Sequence, residues 1–143
     1  MSRPEQHGRD AYRHFTTITL RWSDNDAYGH VNNTIFYQWF DSAVNGLLVE
    51  IGLLDIGHGD PIGLVVETGC NYFAPLAFPG DVEVGIAIDR LGTSSVTYRI
   101  GIFQPDKPDP AAQGHFTHVY VARQSRRPVP LPDQWRAKLE TFR

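Results

Sequence analysis

One cysteine, Cys70, in 143 residues excludes an internal disulfide and is the usage expected of a reducing compartment. Long apolar runs are also missing. No stretch approaches the ~18 consecutive apolar residues that a spanning helix needs. The opening "MSRPEQHGRD" is polar and charged, with no hydrophobic stretch behind it, which is neither the pattern of a secretory signal nor that of an anchor. A cytoplasmic location with no membrane partner is therefore expected. Excess charge is lacking too. Thirteen Lys and Arg stand against sixteen Asp and Glu, a net −3 that gives no electrostatic reason to expect nucleic acid as a partner. The basic stretch "RQSRRP" is a local exception.

Several chemical signatures are absent. There is no G-x-S-x-G elbow, so an α/β-type serine hydrolase is excluded. "GHGDPIG" lacks the glycine spacing and following helix of a dinucleotide fingerprint. Six histidines suggest metal, but His115 and His118 are three apart on an expected strand and point to opposite faces. His58 with Asp60 is too small a pair to define a site. No metal and no cofactor are expected. Cys70 has no histidine beside it in sequence and reads as a small apolar strand residue.

What is present reads as one domain. "FTTITLRW" alternates Ile18, Leu20 and Trp22 with Thr17, Thr19 and Arg21, the period of a half-buried strand. The period then changes. Ile35, Phe36, Trp39, Phe40, Ala43, Leu47, Leu48 and Ile51 recur every three or four residues, predicting a helix of about five turns capped by Asn32 and stopped at Gly52. From residue 63 to about 124 the chain reads as strands. Val82, Val84, Ile86 and Ile88 form one alternating face, and Val96, Tyr98, Ile100 and Ile102 another. "APLAFPGD" makes a bend, "PDKPDPAAQG" a hairpin loop and "HFTHVYVAR" the last strand. Trp135, Leu139 and Phe142 predict a short terminal helix. One long apolar helix against an antiparallel sheet is a two-layer α+β domain, and the width of the stripe implies a sheet that curls around it. Residues 1–12 are set apart as a flexible segment, leaving 13–143 as the domain.

Between the first strand and the helix stands "RWSDNDAYGHVNN". If Asn32 caps the helix, the Asn33 amide is an unpaired donor at the positive end of the helix dipole, suited to a carbonyl oxygen gaining negative charge. Asp26, a few residues upstream, is a carboxylate able to attack a carbonyl carbon or take a proton from water. Asp and Asn are equally at home in ordinary turns and caps. Asp24, two residues before Asp26, could share a proton with it but fits a solvated turn better. Residue chemistry alone leaves both readings open.

The stretch "DNDAYGHVNNTIFYQWFDSA" resembles the signature of hotdog-fold acyl-CoA thioesterases of the 4-hydroxybenzoyl-CoA thioesterase type, in the subgroup reading D-x-D-x-x-G-H-V-N-N before an aromatic helix. "YFAPLAFPGDVEV" is similar to a strand junction of that family. The resemblance implies a hotdog fold, a curved antiparallel sheet wrapped around a central helix. It implies hydrolysis of an acyl-CoA to a free acid and CoA, with Asp26 as the catalytic carboxylate and the Asn33 amide polarising the thioester carbonyl. Tyr28, His30 and Asn32 fall on motif positions that shape the site. Arg126 and Arg127 are candidates for the CoA phosphates only because they are basic, lie beyond the last strand and are flanked by proline. Trp39 or Phe40 is expected near the acyl tail. The family pairs its domains edge to edge, so a homodimer or homotetramer is expected. Two alternatives share the fold: a non-catalytic module binding acyl-CoA or acyl carrier protein, and a dehydratase, whose histidine–aspartate motif is absent.

Overall fold

A computed structural model describes residues 4–143. Five strands and two helices follow in the order β1 (His14–Thr19), α1 (Asn33–Glu50), β2 (Ile62–Tyr72), β3 (Asp81–Leu91), β4 (Ser95–Phe103), β5 (Ala112–Val121) and α2 (Asp133–Glu140). All strand pairings are antiparallel, in the spatial order β1-β3-β4-β5-β2. The expected α+β architecture of one sheet around one long helix is the one observed.

The helix starts where its sequence says it should. Asn32 has extended backbone angles, and its side-chain oxygen accepts the Thr34 amide at 2.9 Å. At the other end Gly52 takes a positive φ of 81°, which a side chain would resist. Lys138 of α2 donates its ammonium to the Ile51 carbonyl at 2.8 Å, satisfying one of the orphaned helix-end acceptors. Phe40 and Val44 are fully buried, with Phe36, Trp39, Ala43, Leu47 and Leu48 nearly so. Each of the larger of these side chains contributes roughly 2 kcal/mol by leaving water, and Ala43 less.

Beneath the helix lie the alternating faces of β3 and β4: Val82, Val84, Ile86 and Ile88 with Val96, Tyr98, Ile100 and Ile102, all buried. Gly85 and Ala87, interleaved in the middle of β3, are buried as well, because that part of the opposite face is covered. Tyr12 lies across that face, packed on Phe103 and Ala87. A Cβ at Gly101 would stand 2.6 Å from the Tyr12 ring, so glycine is required for this approach. Of the segment 1–12, the described residues are tied to this outer face. The Gln113 side chain accepts the His7 amide at 3.0 Å and donates to the Glu5 carbonyl. Arg9 pairs with Glu83 at 2.8 Å.

Two expectations are corrected. The first strand ends at Thr19, so Leu20 stays in the core while Trp22 is 79% exposed in a short 3₁₀ turn, Trp22–Asp24. The chain leaves the sheet there because the Asp24 carboxylate, not a neighbouring strand, accepts the Arg21 amide. The last strand starts three residues before His115, inside the expected loop, because Ala112 continues the ladder with Tyr72 and Ile102. As for β2, it is an edge strand whose middle, Leu64 to Thr68, is exposed on both faces. Its pairing with β5 is irregular between Val65 and Glu67, leaving Val66 as an extra residue.

Candidate active site

The polar turn folds as a short ladder closing on itself. The Asn32 amide donates to the Asp24 carbonyl at 2.9 Å, Asn25 bridges Val31, and the Asp26 amide donates to the His30 carbonyl at 2.9 Å. Gly29 supplies the reversal with a φ of 82°. The turn is bolted to the loop after β2: the Val31 amide donates to the Leu76 carbonyl at 2.7 Å, and Asn25 Oδ1 accepts the Phe78 amide at 3.0 Å. "APLAFPGD", read as a bend and as part of a family strand junction, thus supplies a second wall of the site through Ala74, Pro75 and Leu76.

Asp24 is not solvated. It is 1% exposed. Its Oδ2 accepts the Arg21 amide at 2.8 Å, and its Oδ1 accepts Arg21 Nε and Nη2 at 3.0 and 2.8 Å. That expectation is corrected: the first aspartate of the motif is a structural anchor, satisfied by one neighbouring residue. Asp26 stands about 7 Å further along the ladder, two residues on. It is half-buried, with Oδ1 accepting the Tyr28 amide at 2.8 Å. Oδ2 has no protein partner among the described residues.

An apolar cleft of about 330 Å³ opens beside this turn, lined by Val31, Asn33, Phe36 and residues 72–76. Asn33 is the first residue of α1. Its amide has no acceptor among the described residues, whereas the two amides after it are taken by the cap, Thr34 by Asn32 Oδ1 and Ile35 by the Asn32 carbonyl. A free donor at a helix start, beside an apolar hollow, can hold an oxygen that gains charge. Asp26 is not among the lining residues and sits on the adjoining turn.

The other sequence candidates divide. Tyr28 is 88% exposed and His30 is exposed, both on the outer rim of the turn. The Asn32 oxygen is spent on the cap, accepting the amide and hydroxyl of Thr34. Arg126 and Arg127 are exposed in a tight turn after β5, where Arg126 has a φ of 62°. Tyr72, at the cleft, pairs with Ala112, while the arginines follow Val121 at the other end of a ten-residue strand. That separation is about 30 Å at ordinary strand rise, so one protomer does not bring them to its own cleft. Phe36 lines the cleft; Phe40 is buried beneath Gly114, and Trp39 stands behind Phe36 with ring centres 5.0 Å apart. His115 and His118 do face opposite ways. His115 pairs with Glu67 on the outside, and His118 is buried among Tyr98, Phe116 and Tyr120. Burial pulls the His118 imidazole down to about 4. Cys70 is half-buried on β2, and burial pushes its thiol up to about 11, the opposite of an activated nucleophile.

Sequence comparison matches residues 20–139 to the Thioesterase-like superfamily. The chain belongs to that superfamily. Among solved structures, the PA5185 protein of Pseudomonas aeruginosa is 47% identical and superposes with a TM-score of 0.93, covering 97% of each chain. A second P. aeruginosa protein, PA2801, provisionally described as a thioesterase, is 31% identical at TM-score 0.80 over 88% of this chain and 97% of that one. A 1,4-dihydroxy-2-naphthoyl-CoA thioesterase from Synechocystis, 23% identical at TM-score 0.79, covers 87% of this chain and 93% of its own and shares the fold. The sheet-and-helix architecture of this superfamily member is the hotdog fold.

Two elements of the site were not visible in the sequence. One is the part the loop after β2 plays, its residues 73–76 walling the cleft. The other is Tyr72, whose hydroxyl donates to the Asn33 carbonyl at 2.9 Å. An aromatic residue ending a strand carries no signal that separates such a contact from ordinary packing.

Proposed function

We propose that this superfamily member is an acyl-CoA thioesterase of the D-x-D-x-x-G-H-V-N-N subgroup of the 4-hydroxybenzoyl-CoA thioesterase type. The observation that carries the reading is the uncommitted Asn33 amide at an apolar cleft, with a carboxylate bearing a free oxygen on the adjoining turn. The acyl group lies in the cleft with its carbonyl oxygen toward the Asn33 amide. Asp26 takes a proton from water, whose oxygen then attacks the carbonyl carbon, or attacks that carbon itself. The tetrahedral oxyanion is held by the amide, and collapse expels the CoA thiolate, which takes up a proton; on the second route this leaves an acyl–Asp26 anhydride, which water hydrolyses to the free acid and the carboxylate. A thioester carbonyl is poorly resonance-stabilised, so a carboxylate suffices without metal or redox cofactor.

Two further features support a dimer built through β2. Eleven residues of edge strand with Leu64, Val65 and Val66 exposed form a ready template for pairing. An antiparallel β2–β2 contact would carry the Val121 end of one protomer toward the Tyr72 end of the other. Arg126 and Arg127 would then serve the partner's cleft and its CoA phosphates, with Tyr28 and His30 on the rim. A cytoplasmic enzyme fits this substrate.

The decisive experiment is Asp26→Asn assayed across aliphatic and aryl acyl-CoAs by release of free thiol. Loss of a general base or nucleophile lowers kcat about 10²- to 10⁴-fold. Wild-type turnover in a folded variant refutes the assignment. Acyl-CoA bound tightly by the wild-type protein with no thiol released would make it a binding module instead.

A further inference from the structure

Tyr72 closes β2 at the mouth of the cleft and reaches the first turn of α1. Its ring meets the edge of Phe36 with centres 5.0 Å apart and planes at 89°. Its hydroxyl donates to the Asn33 carbonyl at 2.9 Å, a contact across 39 residues of sequence. The two ends of this bond differ in rigidity. Tyr72 is fixed in the sheet by its pairing with Ala112, and the next two amides, of Phe73 and Ala74, both donate to the Ala111 carbonyl. Asn33 begins a helix, and first turns fray because their amides lack partners within the helix. Its own amide is such a group.

Resting on the reading of that amide as the oxyanion donor, we infer that Tyr72 is a positioning residue that sets the direction of the Asn33 N–H. The carbonyl and amide of one residue share its α-carbon, so holding the carbonyl to the sheet restrains the swing of the amide. An oxyanion donor acts only when aimed at the place where charge develops, and small misplacement is costly. Burial, then the neighbouring Cys70 and Tyr37, push the Tyr72 phenol well above its ordinary range. It therefore keeps its proton, and remains a donor, throughout any ordinary assay.

The test compares wild type, Tyr72→Phe and Tyr72→Leu on an acyl-CoA that the wild type hydrolyses, together with ¹⁵N resonances of the substrate-free protein. Tyr72→Phe keeps the ring on Phe36 and loses only the hydroxyl. It should lower kcat about 5- to 10-fold with KM within about twofold, the size of one neutral hydrogen bond. The Asn33 and Thr34 amide resonances should shift and exchange faster. Tyr72→Leu should raise KM as well, since it also removes part of the cleft wall. Unchanged amide signals in Tyr72→Phe overturn the inference, as does shifted signals with wild-type kcat. Failure of the proposed function looks different: wild type hydrolyses no acyl-CoA, or Asp26→Asn is fully active, and the amide signals still decide whether Tyr72 holds the helix start.

Discussion

Replacing Asp24 by Asn alters one atom of a buried side chain and tests whether this residue anchors the catalytic turn. In the native protein Oδ2 accepts the Arg21 amide while Oδ1 accepts two guanidinium nitrogens. An asparagine has one acceptor oxygen. Facing the guanidinium, it turns its NH₂ group toward the Arg21 amide, donor against donor. Flipped, it sets the NH₂ group against the guanidinium. Either arrangement loses an acceptor where the site is 1% exposed, at about 1–3 kcal/mol. Loss of charge assistance adds little, because the Arg21 side chain is 62% exposed and regains water. The total is about 2–3 kcal/mol, lowering Tm by about 5–12 °C for a chain of this size. Urea unfolding followed by circular dichroism measures it. The Asn32–Asp24 and Val31–Leu76 backbone ties and the Asn25 side-chain tie to the Phe78 amide survive the substitution, so kcat should fall no more than about tenfold, far less than in Asp26→Asn. A stability change below about 0.5 kcal/mol, with kcat collapsing as in Asp26→Asn, refutes the anchoring role and points to direct participation of Asp24.

Two further outcomes follow from packing and from a buried base. Gly114→Ala places a methyl group against the Gly69 carbonyl oxygen and 2.6 Å from Phe40 Cε2, which should destabilise the fold by about 3 kcal/mol or more; Gly46→Ala, in open space on α1, should stabilise it by up to about 1 kcal/mol, and thermal melts of the pair check both. His118 is held near 4 against 6.5 when unfolded, so the unfolded chain binds the extra proton first on acidification. Stability due to neutral His118 is complete above about pH 6.5 and declines by up to about 3 kcal/mol as pH falls toward 4. His118→Phe should flatten that part of the stability–pH curve, and an unaltered slope counts against the effect.

The long helix was legible because its stripe and its cap are local facts. Eight apolar positions at helical spacing and an Asn two residues before Thr34 need no distant partner to be understood. The inner faces of β3 and β4 were legible for the same reason, as each alternates along its own length. Trp22 was misread because alternation carried past Thr19, where the Asp24 carboxylate captures the chain. The burial of Asp24 has no sequence signature, since Asp in a polar turn is ordinarily wet. Within the site, the resemblance pointed to Asn33, whose amide stands at a cleft with no acceptor among the described residues. Tyr72 and the loop 73–80 arrive from forty residues away, and only the folded register of β2 on β5 brings them there. The arginines after Val121 illustrate the converse, being basic and suitably placed in sequence yet a full strand length from the cleft.

The residues ahead of β1 have a bearing on how the chain can be shortened. Tyr12 roofs Gly85 and Gly101 and shields Phe103, with Arg9 lying 4.8 Å over the Phe103 ring. A chain trimmed to begin at residue 13, in the belief that its leader is dispensable, would strip this lid and bare an aromatic surface on the back of the sheet, with two glycines offering bare backbone beneath it. Residues 4–12 are, in effect, a third layer, thin but continuous with the domain they precede.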